Sequence, residues 1–273
     1  MNNKRRFLAF PYIIWMAAFI IIPLLIVVYY GLTDVDGAFT LENVRLMFDP
    51  INLKALVYSL ILSMIATVIC LLLAYPLAMI LKNAELKNSS FIIFVFILPM
   101  WMNFLLRTIA WQTLLENNGV INTLLSWMHL PKINIINTPY AIVLGMVYNF
   151  LPFMVLPIYN TLVKIDTNVI NAARDLGANG YQTFTKIIFP LSMPGVISGI
   201  TMVFVPSLTT FVISDILGGG KVHLIGNVIE QEFKFKYDWN TGSGLSIVLM
   251  VFILISMAFI AKYDTDMEGT NVW

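Results

Sequence analysis

The side chains of this sequence that could act as nucleophiles, metal ligands or proton carriers are few, and none stands at a working spacing. His129 and His223 fall in expected loops with no second histidine or carboxylate at metal-ligand spacing. Cys70, the single cysteine, lies inside an apolar run and reads as a small core residue, with no partner for a disulfide or a thiolate cluster. Gly218-Gly219-Gly220-Lys221 hints at a phosphate-binding loop, but Val222 stands where Ser or Thr is required. No nucleophile–base pair is evident. Catalytic residues, a metal site and a nucleotide site are therefore not expected in this chain, and a net charge of +1 gives no global pull toward nucleic acid.

The most patterned polar stretch offers shape instead of reactivity. Asp166-Thr167-Asn168-Val169-Ile170-Asn171-Ala172-Ala173-Arg174-Asp175-Leu176-Gly177-Ala178-Asn179 lies between two long apolar runs. Asp166 or Thr167 can cap a helix by accepting an orphan backbone N–H. Ala172, Ala173 and Arg174 favour helix, and Gly177 sits where a helix ends in a left-handed residue at little steric cost. Asn179 can cap a second helix through Tyr181, Phe184, Ile187 and Ile188, with Pro190 expected at the turn into the next apolar run. Val169, Ala172, Ala173 and Leu176, three and four apart, form a small apolar stripe beside Arg174 and Asp175. Such a helix can lie in a groove of another protein or on lipid headgroups, and the residues alone leave both open.

The elements that must position this segment are membrane spans. Of 273 residues 59% are hydrophobic and only 11% charged, with mean hydropathy +0.84; soluble domains carry about a quarter charged residues. Crossing a bilayer takes about 20 mainly apolar residues. Six stretches qualify, roughly 7–30, 55–81, 91–115, 139–163, 189–213 and 244–261. The fold class is thus all-α: a polytopic membrane protein of six transmembrane helices with a cytoplasmic helix-bend-helix loop at 164–188. Arg107 and Gln112 interrupt the third span, where the arginine is expected to snorkel to the interface. The apolar run after Lys4-Arg5-Arg6 is too long for a signal-peptide core, so it reads as a retained span.

Six spans put both termini on one side. The lysines and arginines then divide nine to seven; the cluster before the first span and the pair Lys82 and Lys87 in a short loop make the richer side cytoplasmic. Prolines 23, 76, 99, 152, 157, 194 and 206 fall inside spans and tend to kink them. Gly195-Val196-Ile197-Ser198-Gly199 is a small-xxx-small pair suited to close helix packing. The six-span unit is not repeated, so any pseudo-symmetric partner is expected from another chain.

Asn171-Ala172-Ala173-Arg174-Asp175-Leu176-Gly177-Ala178, followed by Phe184, Ile187, Ile188, Phe189-Pro190 and Pro194, resembles the EAA loop of ABC importer permeases, with Asn171 in place of the usual glutamate. Leu151-Pro152-Phe153-Met154-Val155-Leu156-Pro157, Ser214-Asp215 with Gly218-Gly219-Gly220, and Ile225-Gly226-Asn227-Val228-Ile229 extend the likeness, over most of the chain, to the B-type permeases of spermidine/putrescine importers. The resemblance implies a bacterial inner-membrane subunit forming half of a translocation path. It also implies a second related permease, two ABC ATPase subunits that bind ATP and Mg, and an extracytoplasmic polyamine-binding protein. Asn171, Ala172, Ala173, Arg174, Asp175 and Gly177 would then couple to the ATPase.

A polyamine is a flexible polycation, so its path should offer carboxylates for the ammonium groups and aromatic faces for the methylenes. Asp215, at the outer end of the fifth span, is the best acidic candidate. Trp101, Asn103, Tyr148 and Glu116 complete the expected pathway set. The outer segment 218–242, with Glu230, Glu232 and Asp238, reads as a glycine-rich loop, a gate or a dock for a delivery protein. The rival readings are an ion-gradient-driven secondary transporter of an organic cation, which needs ionisable groups deep in the spans, and an intramembrane enzyme.

Overall fold

The computed structural model describes residues 10–83 and 98–268, with side chains up to residue 260 apart from those of residues 83 and 99. Lys4-Arg5-Arg6, Lys87 and the first part of the expected third span lie outside the described residues. Among the described residues the regular structure is helical, apart from one bridge between Thr33 and Phe39. Five helices are long and apolar enough to cross a membrane: α1 (Phe10–Gly31), α2 (Pro50–Asn83), α5 (Pro139–Lys164), α7 (Gly180–Thr209) and α10 (Trp239–Glu268). Between them lie α3 (Phe104–Leu115), α4 (Val120–Trp127), α6 (Thr167–Asp175), α8 (Val212–Gly218) and α9 (Ile225–Gln231).

The expected third span differs from a single rod. The described part holds a short 3-10 turn, Leu98–Trp101, then a break, then α3. Asn103 caps α3, its Oδ1 accepting from the N–H groups of Leu105 (2.8 Å) and Leu106 (3.4 Å). An oxygen that accepts from backbone donors in this way starts a helix and does not sit mid-span. The outer segment is also more ordered than a loop. The expected fifth span, α7, ends at Thr209, so Ser214 and Asp215 belong to the separate α8, and α9 follows within 218–242.

The chain forms two compact units. One comprises residues up to Ala55 with Val228–Ile255, the other Leu56–Asn227 with the residues from Ser256 onward. In the first, Gly31 packs against Ile247 and Ser243, and Asn240 Nδ2 donates to the carbonyls of Tyr30 (3.1 Å) and Thr33 (2.6 Å). That contact fixes the end of α1 on the start of α10.

The second unit carries the larger core. On α2, Ser59, Leu62, Ser63, Ala66, Cys70, Ala74, Ala78 and Leu81 are buried, while Ile61, Ile65, Val68, Leu72 and Ile80 are exposed. Small groups inward and bulky aliphatics outward is the pattern of a lipid-facing helix packed by close approach. Cys70 is a fully buried core residue, its Sγ donating weakly to the carbonyl of Val147 at 3.8 Å. Close approach recurs between α5 and α7. A Cβ on Gly195 would lie 2.5 Å from Thr161 Oγ1, and one on Gly199 would lie 2.7 Å from Met154 Sδ. Only a hydrogen fits at either position, so the small-xxx-small pair is a packing device.

Candidate functional site

The segment joining α5 to α7 is built by local backbone rules. Asp166 Oδ1 accepts from Asn168 N at 2.9 Å and starts α6. At its end Ala178 N donates to Ala173 O (3.0 Å) and Gly177 N to Arg174 O (2.9 Å), the paired bonds of a Schellman stop, with Gly177 at φ +87°. The next two residues start a second helix by a reciprocal box. Gln182 N donates to Asn179 Oδ1 (2.8 Å) while Asn179 N donates to Gln182 Oε1 (3.0 Å). Helix, left-handed glycine and capped helix thus stand where the sequence predicts them.

The exit of this segment departs from expectation. No turn forms at Pro190; Gly180–Thr209 is one continuous rod. A π-helical turn over Phe184–Ile188 runs straight into the α-helical stretch Phe189–Thr209, in which Pro190 stands second.

The chain's own contacts leave the outer face of α6 open. Ile170 is buried and ties α6 to the core. Asn171, Ala172, Arg174 and Asp175 are exposed, Ala173 is half-buried, and Leu176 is 89% exposed. The predicted stripe therefore splits: Val169, Ala172 and Leu176 point away from the protein, and the unforeseen Ile170 anchors the helix. In the elbow, a concavity of about 380 Å³ is lined by Ala173, Leu176, Ala178, Gln182, Lys186 and Ile187, with Gly177 at its bend.

A second polar centre lies on α8 and α9. Asn227 is buried, and its amide touches four groups. Its Oδ1 accepts from Leu224 N (3.0 Å) and meets Ser214 Oγ; its Nδ2 donates to Phe211 O (3.2 Å) and to Asp215 Oδ1. Ser59 Oγ accepts from Ile225 N at 2.8 Å, tying the start of α9 to α2. Asp215 itself is exposed, one oxygen oriented by Asn227. The three glycines that follow serve the backbone: Gly219 (φ +55°) and Gly220 (φ +70°) are left-handed and close α8.

The remaining candidates are dispersed. Trp101 is 76% exposed in the 3-10 turn, and Glu116 is exposed at the end of α3. Tyr148 meets Trp111 edge-on at 5.2 Å, and both line an apolar groove of about 830 Å³ with Tyr58, Tyr140 and Val147. Helix α8 packs on α3 and α5, so Asp215 shares a neighbourhood of helices with these residues. Arg107 does not snorkel. It is 7% exposed and its Nε has no hydrogen-bond partner among the described residues.

Sequence reasoning gave Asn227 no role, although the Ile225-Gly226-Asn227 run was visible; a lone buried amide beside a glycine was the available signal. A Cβ on Gly226 would lie 2.7 Å from the carbonyl of Thr209, which brings α9 tight against the end of α7. The carboxylates of the outer segment are engaged locally. Glu230 pairs with Lys234 (2.7 Å), Glu232 with Lys236 (2.6 Å), and Asp238 Oδ1 accepts from Thr241 N (2.9 Å).

Residues 2–266 match the family described as binding-protein-dependent transport system inner membrane component, and the chain belongs to that family. The spermidine/putrescine transport system permease protein PotB of Haemophilus influenzae is 39% identical over 264 residues, spanning 93% of this chain and 92% of the relative. PotB of Escherichia coli K12 is 39% identical over 245 residues, 87% of this chain and 89% of its own length. A chain from the crystal structure of a bacterial alginate ABC transporter, in complex with an alginate pentasaccharide-bound periplasmic protein, superposes with TM-score 0.75. The overlay covers 94% of this chain and 93% of that one at 18% identity, a likeness of fold. The protein is a multi-pass membrane subunit of an ABC permease, a non-catalytic role.

Proposed function

We propose that this chain is one permease subunit of an ATP-driven importer of spermidine or putrescine, supplying half of the translocation path. One observation carries the coupling role: a rigidly stopped and re-capped segment presents Asn171, Ala172, Arg174, Asp175 and Leu176 outward. An 89% exposed leucine on such an element fits a protein partner that covers it. The partner is an ABC ATPase, which binds ATP and Mg; two copies serve this chain and a second, related permease. Asn171 in place of glutamate leaves one contact uncharged while α6 keeps its form.

Both termini are read as cytoplasmic, with the segment 164–188 on the same side. The direction of the helices supports six crossings. Cys70 meets Val147, and Tyr75, further along α2, meets Ser192, which lies on α7 near the α5 end marked by Gly195 and Thr161. Helices α2 and α5 therefore run in parallel, which supports a return crossing between residues 83 and 139.

ATP binding draws the ATPases together and pushes on the bend. The paired permeases turn outward, accept the polyamine from an extracytoplasmic binding protein, and release it inward after hydrolysis. Asp215, exposed and held by Asn227, supplies the acidic group for an ammonium. Trp101 and the Trp111–Tyr148 pair offer ring faces, and Asn103 and Glu116 flank α3.

Co-purification of the chain with its associated subunits, followed by ATP turnover with spermidine- or putrescine-loaded binding protein in proteoliposomes, tests the reading. Stimulation of turnover and ATP-dependent uptake are expected. Uptake driven by an ion gradient with the ATPase removed would overturn it.

A further inference from the structure

The bend meets the membrane through a cluster that the coupling loop does not explain. Tyr75, half-buried on α2, packs edge-on against Phe184 at 5.7 Å and at a tilt against Phe189 at 5.9 Å, and those two rings lie 6.1 Å apart. Its hydroxyl lies 2.7 Å from Ser192 Oγ. Ser192 is fully buried and donates its proton to the carbonyl of Phe189 at 2.8 Å, which leaves Tyr75 as the donor of the pair.

Both sides of this contact are soft places in their helices. Phe184 opens the π-helical turn Phe184–Ile188, where one extra residue per turn loosens the regular ladder. Tyr75 is followed at once by Pro76, which lacks the N–H that would bond back along α2 and removes a hydrogen bond from the helix interior. A three-ring contact and a buried hydroxyl pair therefore join the two helices where each bends most easily. Mere packing of two straight helices needs neither feature.

We infer that Tyr75 is a positioning residue of the transport cycle: it ties the second span to the π-helical start of α7, so that displacement of the bend is passed to α2. This rests on the proposed function, since it needs a partner that moves the bend. Tyr75 touches neither substrate nor nucleotide in this scheme.

The test uses the whole importer in proteoliposomes and three permease variants, Tyr75→Phe, Ser192→Ala and the double variant, with Tyr75→Ala as the severe case. Retention of the ATPase and basal ATP turnover report assembly. Polyamine delivered per ATP hydrolysed, with loaded binding protein present, reports transmission. Removing one buried hydrogen bond is expected to lower that ratio roughly three- to fivefold in either single variant. The double variant should fall no further, because both changes delete the same bond. Tyr75→Ala should fall further still while the ATPase stays bound.

An unchanged ratio in Tyr75→Phe and Ser192→Ala overturns the inference. So does a loss of transport that merely tracks lost ATPase in all the variants, and so do additive effects in the double variant. A wild-type complex that polyamine-loaded binding protein fails to stimulate overturns the functional reading itself, and this inference with it.

Discussion

The bend at Asp166–Asn179 and the corner at Asp215–Asn227 are both polar islands in a greasy protein, yet they are held in opposite ways. At the bend every fixing bond runs between groups at most five residues apart, from the Asp166 cap through the Gly177 stop to the Asn179 box. Most of its side chains face outward, with Ile170 as the anchor. At the corner one buried amide, Asn227, reaches Phe211, Ser214 and Asp215, and Ile225 reaches back to Ser59. The bend stores shape in the backbone, so a substitution such as asparagine for glutamate at 171 leaves it standing. The corner stores shape in the hydrogen bonds of one buried side chain, where loss of that amide is felt by all its partners.

Four substitutions put that contrast at risk, taken from the largest effect to the smallest. Gly177→Val places a β-branched residue at φ +87°, at a local cost of about 1–2 kcal/mol or more. Most polyamine-stimulated ATP turnover should vanish, whereas Gly177→Asn should keep much of it. Normal turnover in the valine variant would show that the bend's shape is not what matters.

Next, Asn227→Leu takes the acceptor from the buried Leu224 N and breaks the links to Ser214 and Asp215, which should destabilise the subunit by about 1–3 kcal/mol in thermal unfolding. Asp215→Asn instead keeps the shape and removes a charge. It should reduce labelled spermidine uptake several-fold with assembly intact, and equal uptake would remove Asp215 from the path. The mildest is Asn179→Ala, which loses the capping box at about 0.5–2 kcal/mol. Reduced ATPase retention on washing, with uptake partly preserved, is the expected result.

The same contrast explains what could be read beforehand. Caps and a left-handed glycine act within one helical turn, so Asp166, Gly177 and Asn179 announced their roles. The long apolar runs announced α2, α5 and α10 because bilayer thickness alone demands their length. Ile170 was hidden because an apolar stripe does not say which edge meets the core. The π-helical turn was hidden because Pro190 reads equally as a turn or as a first-turn residue. Asn103 looked like a mid-span polar group until the break before Phe104 made it a cap. Arg107 looked like a snorkelling residue because burial depends on α3's neighbours, which lie far away in sequence. Asn227 and Ser59 are separated from their partners by turns and whole helices, and no local pattern joins them.

Gly195 and Gly199 carry one last implication. With almost no room between them and α5, the helices on either side of the elbow pack as one tight lever. The elbow is then a crank handle fixed to that lever at both of its roots. Under the proposed coupling, a push on the elbow would tilt both spans together.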